Sequence, residues 1–178
     1  MSSSISIHIL KPACGMTAEA AARCLFPEAE IQSDDHGVNV FMPETGLYPK
    51  EGTLANASLW LRTDVICVGF QSTANLFYFA HFKGGMKLRV LAYFASDWNS
   101  NSSCVWQRVE GQPEPWESSA LWQMDGLACE LDNAGSNPER FRIERIWDAG
   151  TLIAGETTPS ISAEGATDWV RDHYNLPG

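Results

Sequence analysis

With 178 residues, of which 44% are hydrophobic and 19% charged, the chain is long enough for a substantial core and too apolar to be intrinsically disordered. Its formal net charge of −10 disfavours contact with a phosphate backbone, so we expect no nucleic-acid partner. No apolar run approaches the roughly 20 residues that a membrane-spanning helix needs, so we expect no membrane association. Residues 1–178 are predicted to form a single globular domain.

The cysteine and histidine patterns argue against a metal centre. The five cysteines are scattered and contain no Cys-x-x-Cys pair: Cys14, Cys24, Cys67, Cys104 and Cys129. Such a set is typical neither of a disulfide framework nor of a structural zinc site. The four histidines are separate in sequence, and the sequence has no phosphate-binding loop, nucleophile elbow or zinc-protease motif. We therefore expect no metal, no cofactor and a reducing, cytoplasmic environment.

The first third of the chain predicts short elements separated by turns. Alternating isoleucines over 5–9 predict a strand with one buried face. Thr17 is a good N-cap for a short helix, because its hydroxyl can accept a backbone N–H. Alternation over 38–42 predicts a second strand, and the Pro-, Gly- and Asn-rich segment 43–57 predicts a surface loop. A strand or short helix around Leu59–Leu61 follows.

A β-hairpin is the best-defined prediction of the sequence. The apolar segments 76–83 and 86–95 flank a Gly-Gly pair, and both glycines tolerate the positive φ angles of a tight turn. A two-residue loop places Phe82 opposite Lys87. Alternation then defines an apolar core face made of Phe77, Phe79, His81, Leu88, Val90, Ala92 and Phe94. It defines an opposite, mixed face made of Tyr78, Ala80, Phe82, Lys87, Arg89, Leu91 and Tyr93.

The regions around this hairpin define the expected fold class. Strands at 64–70 and 104–110 extend the hairpin into an antiparallel meander. Apolar residues at helical spacing predict helices over 118–131 and from 162 onward, and alternation predicts another strand at 141–146. The expected fold class is α+β, an antiparallel β-meander of about four or more strands packed against two or three helices.

The segment 86–117 combines large aromatic side chains with charges on turns. It contains three of the seven tryptophans, and its prolines impose an extended backbone near its end. Aromatic anchors with a charged rim are typical of interface hot spots. We therefore predict a binding surface built from Arg89, Tyr93, Trp98, Trp106, Glu110, Glu114, Trp116 and Glu117.

Several of these side chains also fit structural roles. Trp116 fits a plug at the open end of the sheet as well as it fits partner contact. Arg89 could pair with Glu110 or Glu117 as a clamp. His81 lies on the predicted core face, where a hydrogen-bonded structural histidine is more common than a catalytic base. Paired carboxylates are what glycoside hydrolysis needs, but acids at strand ends are common, so we predict no catalytic residue.

The charge of the chain is unevenly distributed. No Lys or Arg occurs between Arg108 and Arg140, whereas seven carboxylates do: Glu110, Glu114, Glu117, Asp125, Glu130, Asp132 and Glu139. One interpretation is a solvated acidic face that aids solubility. The other is a docking surface for a basic partner protein.

Residues 88–117 carry an ordered motif. It reads Leu88-Arg89-x-Leu91-x-Tyr93 and then Trp106-x-x-Val109-Glu110-Gly111-x-Pro113-x-Pro115-Trp116-Glu117. The motif resembles a pattern in small bacterial proteins without a defined activity, and Val-Glu-Gly-x-Pro-x-Pro-Trp-Glu is its most distinctive part. The resemblance implies a bacterial protein and supplies no catalytic residue. Bacterial immunity proteins, which neutralise toxins, are similar in size and charge but not in motif.

These observations predict a cytoplasmic protein that works by binding another protein, with enzymatic activity less favoured. A basic partner and an immunity-like role fit the charge. An alternative function of a different kind is that of a small-ligand-binding protein or hydrolase, which would use a cleft near Arg89, Glu110 and Glu117. A homodimer formed through exposed aromatic side chains is a third alternative.

Overall fold

One antiparallel sheet forms the centre of the molecule. The computed structural model describes residues 3–10, 17–33, 37–41, 49–95 and 103–176. Within these ranges the strands are β1 Ser3–Leu10, β2 Glu30–Ser33, β3 Gly37–Phe41, β4 Asp64–Gln71, β5 Leu76–Lys83, β6 Met86–Ala95 and β7 Cys104–Gly111. Their order across the sheet is β2-β3-β1-β4-β5-β6-β7, and all neighbours are antiparallel. The consecutive strands β4 to β7 match the predicted meander, and the first three strands extend it.

Two α-helices of the described chain lie between strands, one after β1 and one after β3, and four follow β7. They are α1 Ala18–Leu25, α2 Glu51–Leu61, α3 Pro115–Ala120, α4 Met124–Asn133, α5 Asn137–Ala149 and α6 Ala163–Tyr174. Side-chain hydroxyls cap three of these helices and explain where they begin. The backbone N–H groups in the first turns of α1, α5 and α6 donate to Thr17, Ser136 and Ser162, respectively. The predicted α+β class is confirmed, with more strands and helices than expected.

Three predicted elements differ in the structure. The single helix predicted over 118–131 is divided into α3 and α4, and residues 121–123 belong to neither. Residues 51–57, predicted as loop, belong to α2, and residues 141–146, predicted as a strand, belong to α5. In α5, Ile143 and Trp147 are both buried, one helical turn apart, so the helical period prevails over short-range alternation. The rest of the predicted loop, residues 43–48, lies outside the described residues.

Helices cover both faces of the sheet, so the molecule has three layers. On one face α1 and α2 pack on a first core, which includes Ile7, Val40, Leu54, Val65 and Tyr78. On the other face α3 and α6 pack on a second core, which includes Ile66, Phe77, Phe79, Trp116 and Val170. Because both faces are covered, residues 65–70 of β4 are all buried and form a continuous apolar run.

A β-bulge corrects the predicted register of the central hairpin. Phe82 pairs with Lys87 as expected, but the next pair joins His81 to Arg89, so Leu88 is an extra residue in β6. Beyond the bulge, the side chains of β6 exchange faces. The face of the second core therefore carries Phe77, Phe79, His81, Arg89, Leu91 and Tyr93. The face of the first core carries Tyr78, Ala80, Phe82, Val90, Ala92 and Phe94. The predicted faces are right for β5 and wrong for β6.

Gly111, opposite Arg89 at the end of β7, accommodates this bulge. Its φ of 85° lies in the left-handed region that favours glycine. A Cβ atom at this position would lie 1.8 Å from the carbonyl oxygen of Leu88, so no side chain fits. The close approach of β6 and β7 therefore requires the glycine of the Val-Glu-Gly motif.

Candidate functional site

Arg89 and Glu117 form a buried ion pair between β6 and α3. Arg89 Nε donates to Glu117 Oε1 at 2.9 Å, Nη2 donates to Oε2 at 2.6 Å, and Nη1 donates to the Gly111 carbonyl oxygen at 2.9 Å. The two residues are only 1% and 2% exposed. This two-pronged geometry satisfies charges that are otherwise costly to bury. The predicted clamp is confirmed with Glu117 as the partner, and neither side chain is free to hold a ligand.

Glu117 has a second role at the start of α3. Its Oε1 atom accepts the backbone N–H of Glu114 at 2.8 Å, and the Glu114 side chain accepts the backbone N–H of Glu117 in return. This reciprocal capping, with Pro115 as the first helical residue, determines where the helix begins. The Pro-Trp-Glu sequence is therefore a structural device that docks α3 against the sheet.

His81 lies between two carboxylates. Its Nδ1 atom is 2.7 Å from Glu114 Oε1, and its Nε2 atom is 2.8 Å from Asp64 Oδ1. The Tyr174 hydroxyl donates to Glu114 Oε2 at 2.9 Å, which ties the end of α6 into the same network. Both ring nitrogens are occupied, as expected for a structural histidine, and neither is free to act as a general base.

The two carboxylates favour the imidazolium form of this ring. Burial alone would lower the pKa of His81, but the hydrogen bonds to Glu114 and Asp64 outweigh burial and hold the pKa above its ordinary value. Burial would likewise raise the pKa of each carboxyl, but the hydrogen bond from His81 holds both pKa values below their ordinary range. Burial, reinforced by the Glu114 carboxylate, raises the pKa of Tyr174. A positive ring between two negative groups therefore holds β4, β5, α3 and α6 together.

The aromatic side chains predicted to form a binding surface lie in the interior. Trp106 and Trp116 are buried, and Tyr93 packs on Trp106 with ring centroids 5.0 Å apart. Trp116 lies edge-on to Phe79, with ring centroids 5.5 Å apart. The surface interpretation is wrong for Tyr93, Trp106 and Trp116, which all belong to the second core. The bulge at Leu88 turns Tyr93 towards this core, and a second register shift, between β6 and β7 next to Tyr93, turns Trp106 to the same side. Trp116 is buried, as the plug interpretation expects, but in the part of the chain that the structure describes its indole N–H does not find the carbonyl acceptor that this interpretation includes. Trp98 lies outside the described residues.

Glu110 belongs to a ring of four alternating charges on the face of the first core. Glu51 and Glu110 each contact both Lys87 and Arg108, with N–O distances of 2.5–3.0 Å. The ring joins the start of α2 to β6 and β7. The hydrogen bonds from Lys87 and Arg108 lower the pKa of Glu110. Because these groups are partly exposed, each pair stabilises the fold by only about 1 kcal/mol or less.

A hollow exists where the ligand-binding alternative expects one, but its lining differs. Its volume is about 380 Å³, and its lining residues are Lys87, Leu88, Gly111, Gln112, Pro113 and Glu114. Of the three residues expected there, Arg89 and Glu117 are buried in their mutual clamp, and Glu110 is held in the charge ring. The polar side chains that line the hollow are therefore Lys87, Gln112 and Glu114, and the three expected residues are absent from its lining.

The acidic stretch between Arg108 and Arg140 is largely satisfied within the molecule. Five of its seven carboxylates accept hydrogen bonds from the protein itself, namely Glu110, Glu114, Glu117, Glu130 and Glu139. Asp125 and Asp132 are the two that remain exposed without such a contact in the described part of the chain. Little of this stretch is left as a docking face for a basic partner.

The structure also assembles a polar constellation that sequence analysis missed. Ser6 Oγ lies 2.8 Å from His8 Nε2, and His8 Nδ1 lies 2.6 Å from Asn39 Oδ1. Asn39 comes next to His8 only through the pairing of β3 with β1, which sequence analysis could not foresee. The sequence signal is therefore limited to the Ser-x-His spacing in β1. In this chain of contacts Ser6 stands where a nucleophile would, His8 where its base would, and Asn39 where an amide that orients the base would. All three residues are buried, so no substrate reaches the serine in this structure, and the contacts serve as an internal polar network.

Three large apolar side chains are exposed near the hairpin turn. Leu59, Trp60 and Met86 are 53%, 65% and 65% exposed, and we call them the hairpin patch. Leu59 and Trp60 lie at the end of α2, outside its buried stripe of Leu54, Ala57, Ser58 and Leu61. Sequence analysis missed the patch because it did not assign residues 51–61 to one helix. Once the helix is recognised, apolar residues off its buried stripe are the signal.

Other kinds of site are lacking in the described ranges. No helix there is long and apolar enough to cross a bilayer. No three His, Cys, Asp or Glu side chains there are grouped to hold a metal ion. Comparison with known proteins shows no matching family model, no matching curated protein and no matching solved structure. Function must therefore be argued from the surface of this three-layer α+β fold.

Proposed function

We propose that this protein is a non-catalytic protein-binding module that engages its partner through the hairpin patch, in the cytoplasm that its cysteine pattern predicts. The observation that carries the proposal is the exposure of Leu59, Trp60 and Met86 at one end of the hairpin. Exposed apolar clusters of this kind mark interaction sites, and tryptophan is strongly enriched in interface hot spots. The charged groups expected to act on a ligand are instead held in internal ion pairs.

Contacts between α2 and the hairpin turn hold the patch in place. The backbone N–H of Gly85 donates to Ser58 Oγ at 2.9 Å, and a Cβ atom at Gly85 would lie 3.4 Å from the Leu59 Cβ atom. Leu59 therefore packs against the backbone of the turn. Met86 begins β6 directly after this turn, and Trp60 follows Leu59 on α2. Because a helix and a strand position these side chains in advance, less conformational entropy is lost on binding.

Cations border the patch and indicate the chemistry of the partner. Arg62 follows Trp60 at the end of α2 and is exposed, and no carboxylate of the described residues forms an ion pair with it. Lys83 pairs with Met86 across β5 and β6, and its ammonium group is 3.1 Å from Asp64 Oδ2, so its charge is partly compensated within the protein. The complementary surface is therefore apolar, with carboxylates at its edge. A basic partner would require a different surface, rich in free carboxylates.

Retention of a partner by single variants tests the proposal. Host-cell extract is passed over immobilised wild-type protein, Trp60→Ala and the control Phe141→Ala, which removes a ring of similar exposure (63%) from α5. Loss of a hot-spot tryptophan costs at least about 2 kcal/mol, or roughly 30-fold in affinity. Trp60→Ala should therefore release a partner that Phe141→Ala retains. A partner retained equally by both variants, or the recovery of no stable partner, contradicts the proposal.

A second copy of this chain is also a candidate partner. The net charge of −10 opposes self-association, and added salt screens that repulsion. Sedimentation of wild type and Trp60→Ala at low and high salt decides the matter. A dimer that Trp60→Ala dissociates would form through the hairpin patch, whereas a dimer insensitive to this change would form elsewhere.

The small-ligand or hydrolase alternative makes a different prediction. A ligand in the hollow beside Leu88 and Pro113 should stabilise the folded chain, by about 2.7 kcal/mol at 100 times its Kd. A thermal-shift screen over sugars, nucleotides and metal ions measures this effect. A stabilising ligand whose effect survives in Trp60→Ala would favour the alternative over the hairpin patch.

A further inference from the structure

We infer that the exposed side of α6, together with the cleft between α3 and α6, binds a basic protein segment and holds one of its lysine or arginine side chains in the cleft. This surface lies on the opposite face of the sheet from the hairpin patch, so the inference goes beyond the proposed function. Three observations carry it: a row of uncompensated carboxylates, an exposed aromatic ring, and a buried hydrogen-bond donor without an acceptor.

The row of carboxylates lies along α6. Glu164, Asp168 and Asp172 follow one another at intervals of four residues, which places them on one side of the helix, and all three are exposed. In the ranges that the structure describes, none of them forms an ion pair, although Arg171 lies on the same helix. Like charges at this spacing repel each other. A cationic partner would relieve this repulsion.

The cleft runs beside this row and has a volume of about 430 Å³. Its lining residues are Trp116, Ser119, Ala120, Gln123, Trp169, Asp172 and His173. Trp169 is 37% exposed, so its ring offers an aromatic surface to a ligand. Asp172 belongs to the row of carboxylates and also lines the cleft. A carboxylate and the Trp169 ring therefore line the same cleft.

The indole N–H of Trp116 is the third observation. Trp116 lines the cleft, its Nε1 atom is buried, and no acceptor for its hydrogen is present among the described residues. A buried donor left without an acceptor destabilises the folded state, and such groups are rare in folded proteins. A carbonyl oxygen of a bound segment that penetrates to the base of the cleft would satisfy it.

A basic peptide fits these three features together. The stem of a lysine or arginine can lie on the Trp169 ring while its charge reaches Asp172, and cation–π contact with the ring favours such a side chain. Neighbouring cations would pair with Glu164 and Asp168, and the peptide main chain supplies carbonyl acceptors. An anionic ligand would be repelled by the row, and a neutral sugar would leave the row uncompensated. The net charge of −10 also speeds association with a basic segment.

Fluorescence anisotropy with a labelled peptide tests the inference. The probe is a fluorescein-labelled Gly-Ser peptide that carries several arginines, and its matched control has citrulline at each arginine. Wild type should bind the arginine peptide and not the citrulline peptide. Asp172→Asn and Trp169→Ala should each weaken binding about fivefold or more, since each removes roughly 1 kcal/mol of interaction. Asp148→Asn, which removes an exposed carboxylate from α5, should leave binding unchanged.

The outcomes separate this site from bulk charge and from the hairpin patch. Equal weakening by Asp148→Asn and Asp172→Asn overturns the inference, because binding would then follow net charge alone. Absence of binding to wild type overturns it as well. Asp172→Asn preserves side-chain shape, so a folded variant is available even where Trp169→Ala fails to fold. Loss of peptide binding in Trp60→Ala would assign the peptide to the hairpin patch and overturn the inference while leaving the proposed function intact.

Discussion

Arg89 links the bulge in β6 to the start of α3. Its guanidinium reaches the Glu117 carboxylate and the Gly111 carbonyl oxygen, so a strand, a turn and a helix meet at one side chain. The order of Arg89, Gly111 and Glu117 along the chain therefore has a structural explanation. The resemblance to small bacterial proteins rests on these same residues, and in this chain they build the fold.

Removing one member of the clamp should be far more damaging than removing an exposed charge. Glu117→Gln should lower the free energy of unfolding by about 3–5 kcal/mol, because Arg89 would stay buried without a counter-charge. Urea denaturation measures the change. The control is Lys87→Gln in the charge ring, which should cost about 1 kcal/mol or less. The double change Arg89→Met with Glu117→Leu should cost less than Glu117→Gln alone. Similar losses in Glu117→Gln and Lys87→Gln would rule out the clamp.

His81 should make stability fall as pH rises. Its pKa in the folded state is raised, so its contribution is fully present below the unfolded pKa of about 6.5 and is lost as pH rises through the folded pKa. The pKa values of Glu114 and Asp64 are lowered, so their contribution is lost as pH falls through their folded values.

Comparing wild type with His81→Gln by chemical denaturation across pH tests this linkage. The stability advantage of wild type should shrink steadily on the alkaline side, where the ring loses its proton. It should also shrink at acid pH, where the flanking carboxylates are protonated. An advantage that grew with rising pH would show that the ring is neutral in the folded protein.

At the scale of residues, the sequence predicted possible partners without choosing between them. Arg89 had Glu110 and Glu117 as candidates, and Trp116 fitted both a plug and a surface anchor. The choice depends on the bulge at Leu88, which turns Arg89 towards α3. The partner of Arg89 and the location of Trp116 are set by contacts between segments that are distant in sequence, so local residue spacing could not predict them.

At the scale of elements, turns and caps were predictable because they are local. The Gly-Gly turn of the hairpin and the N-cap at Thr17 are both confirmed. The faces of β6 were not predictable, because residues 90–95 are largely apolar or aromatic on both sides of a sheet that is covered on both sides. Alternation carries no signal in such a strand, and the extra residue of a bulge passes unnoticed.

Gly111→Ala should be considerably more destabilising than Gly150→Ala. Both glycines have positive φ, at 85° and 57°, so an alanine at either position costs about 1–2 kcal/mol of backbone strain. Only at Gly111 would the new Cβ also collide with the Leu88 carbonyl oxygen, whereas the space around Gly150 is open. Denaturation midpoints of the two variants measure the difference. Equal losses would mean that β6 and β7 do not approach closely at this point.

At the scale of the whole molecule, the two proposed surfaces lie on opposite faces of the sheet and differ in charge. The hairpin patch is apolar with Arg62 and Lys83 beside it, and the exposed side of α6 is acidic. Raising the salt concentration should therefore weaken binding of the arginine peptide to α6 much more than binding through the hairpin patch. Parallel anisotropy and retention measurements over a salt series check this difference. A common salt dependence would mean that a single surface accounts for both.

The overall class and charge of the molecule followed from composition, whereas the position of its functional surface did not. Exposure depends on which elements cover which faces, and that is set by packing between distant segments. Trp60 and Trp116 illustrate the point. Trp60 lies between two leucines and Trp116 between a proline and a glutamate, yet the first is exposed on α2 and the second is buried in the second core.

Photo-crosslinking in living host cells is the measurement that bears most directly on the hairpin patch. A benzophenone amino acid replaces Trp60 in one variant and Phe141 in the other, so that two equally exposed positions are compared. We predict a discrete covalent adduct with a partner protein from position 60 and none from position 141. No adduct from position 60, or the same adducts from both positions, would contradict a binding function for the hairpin patch.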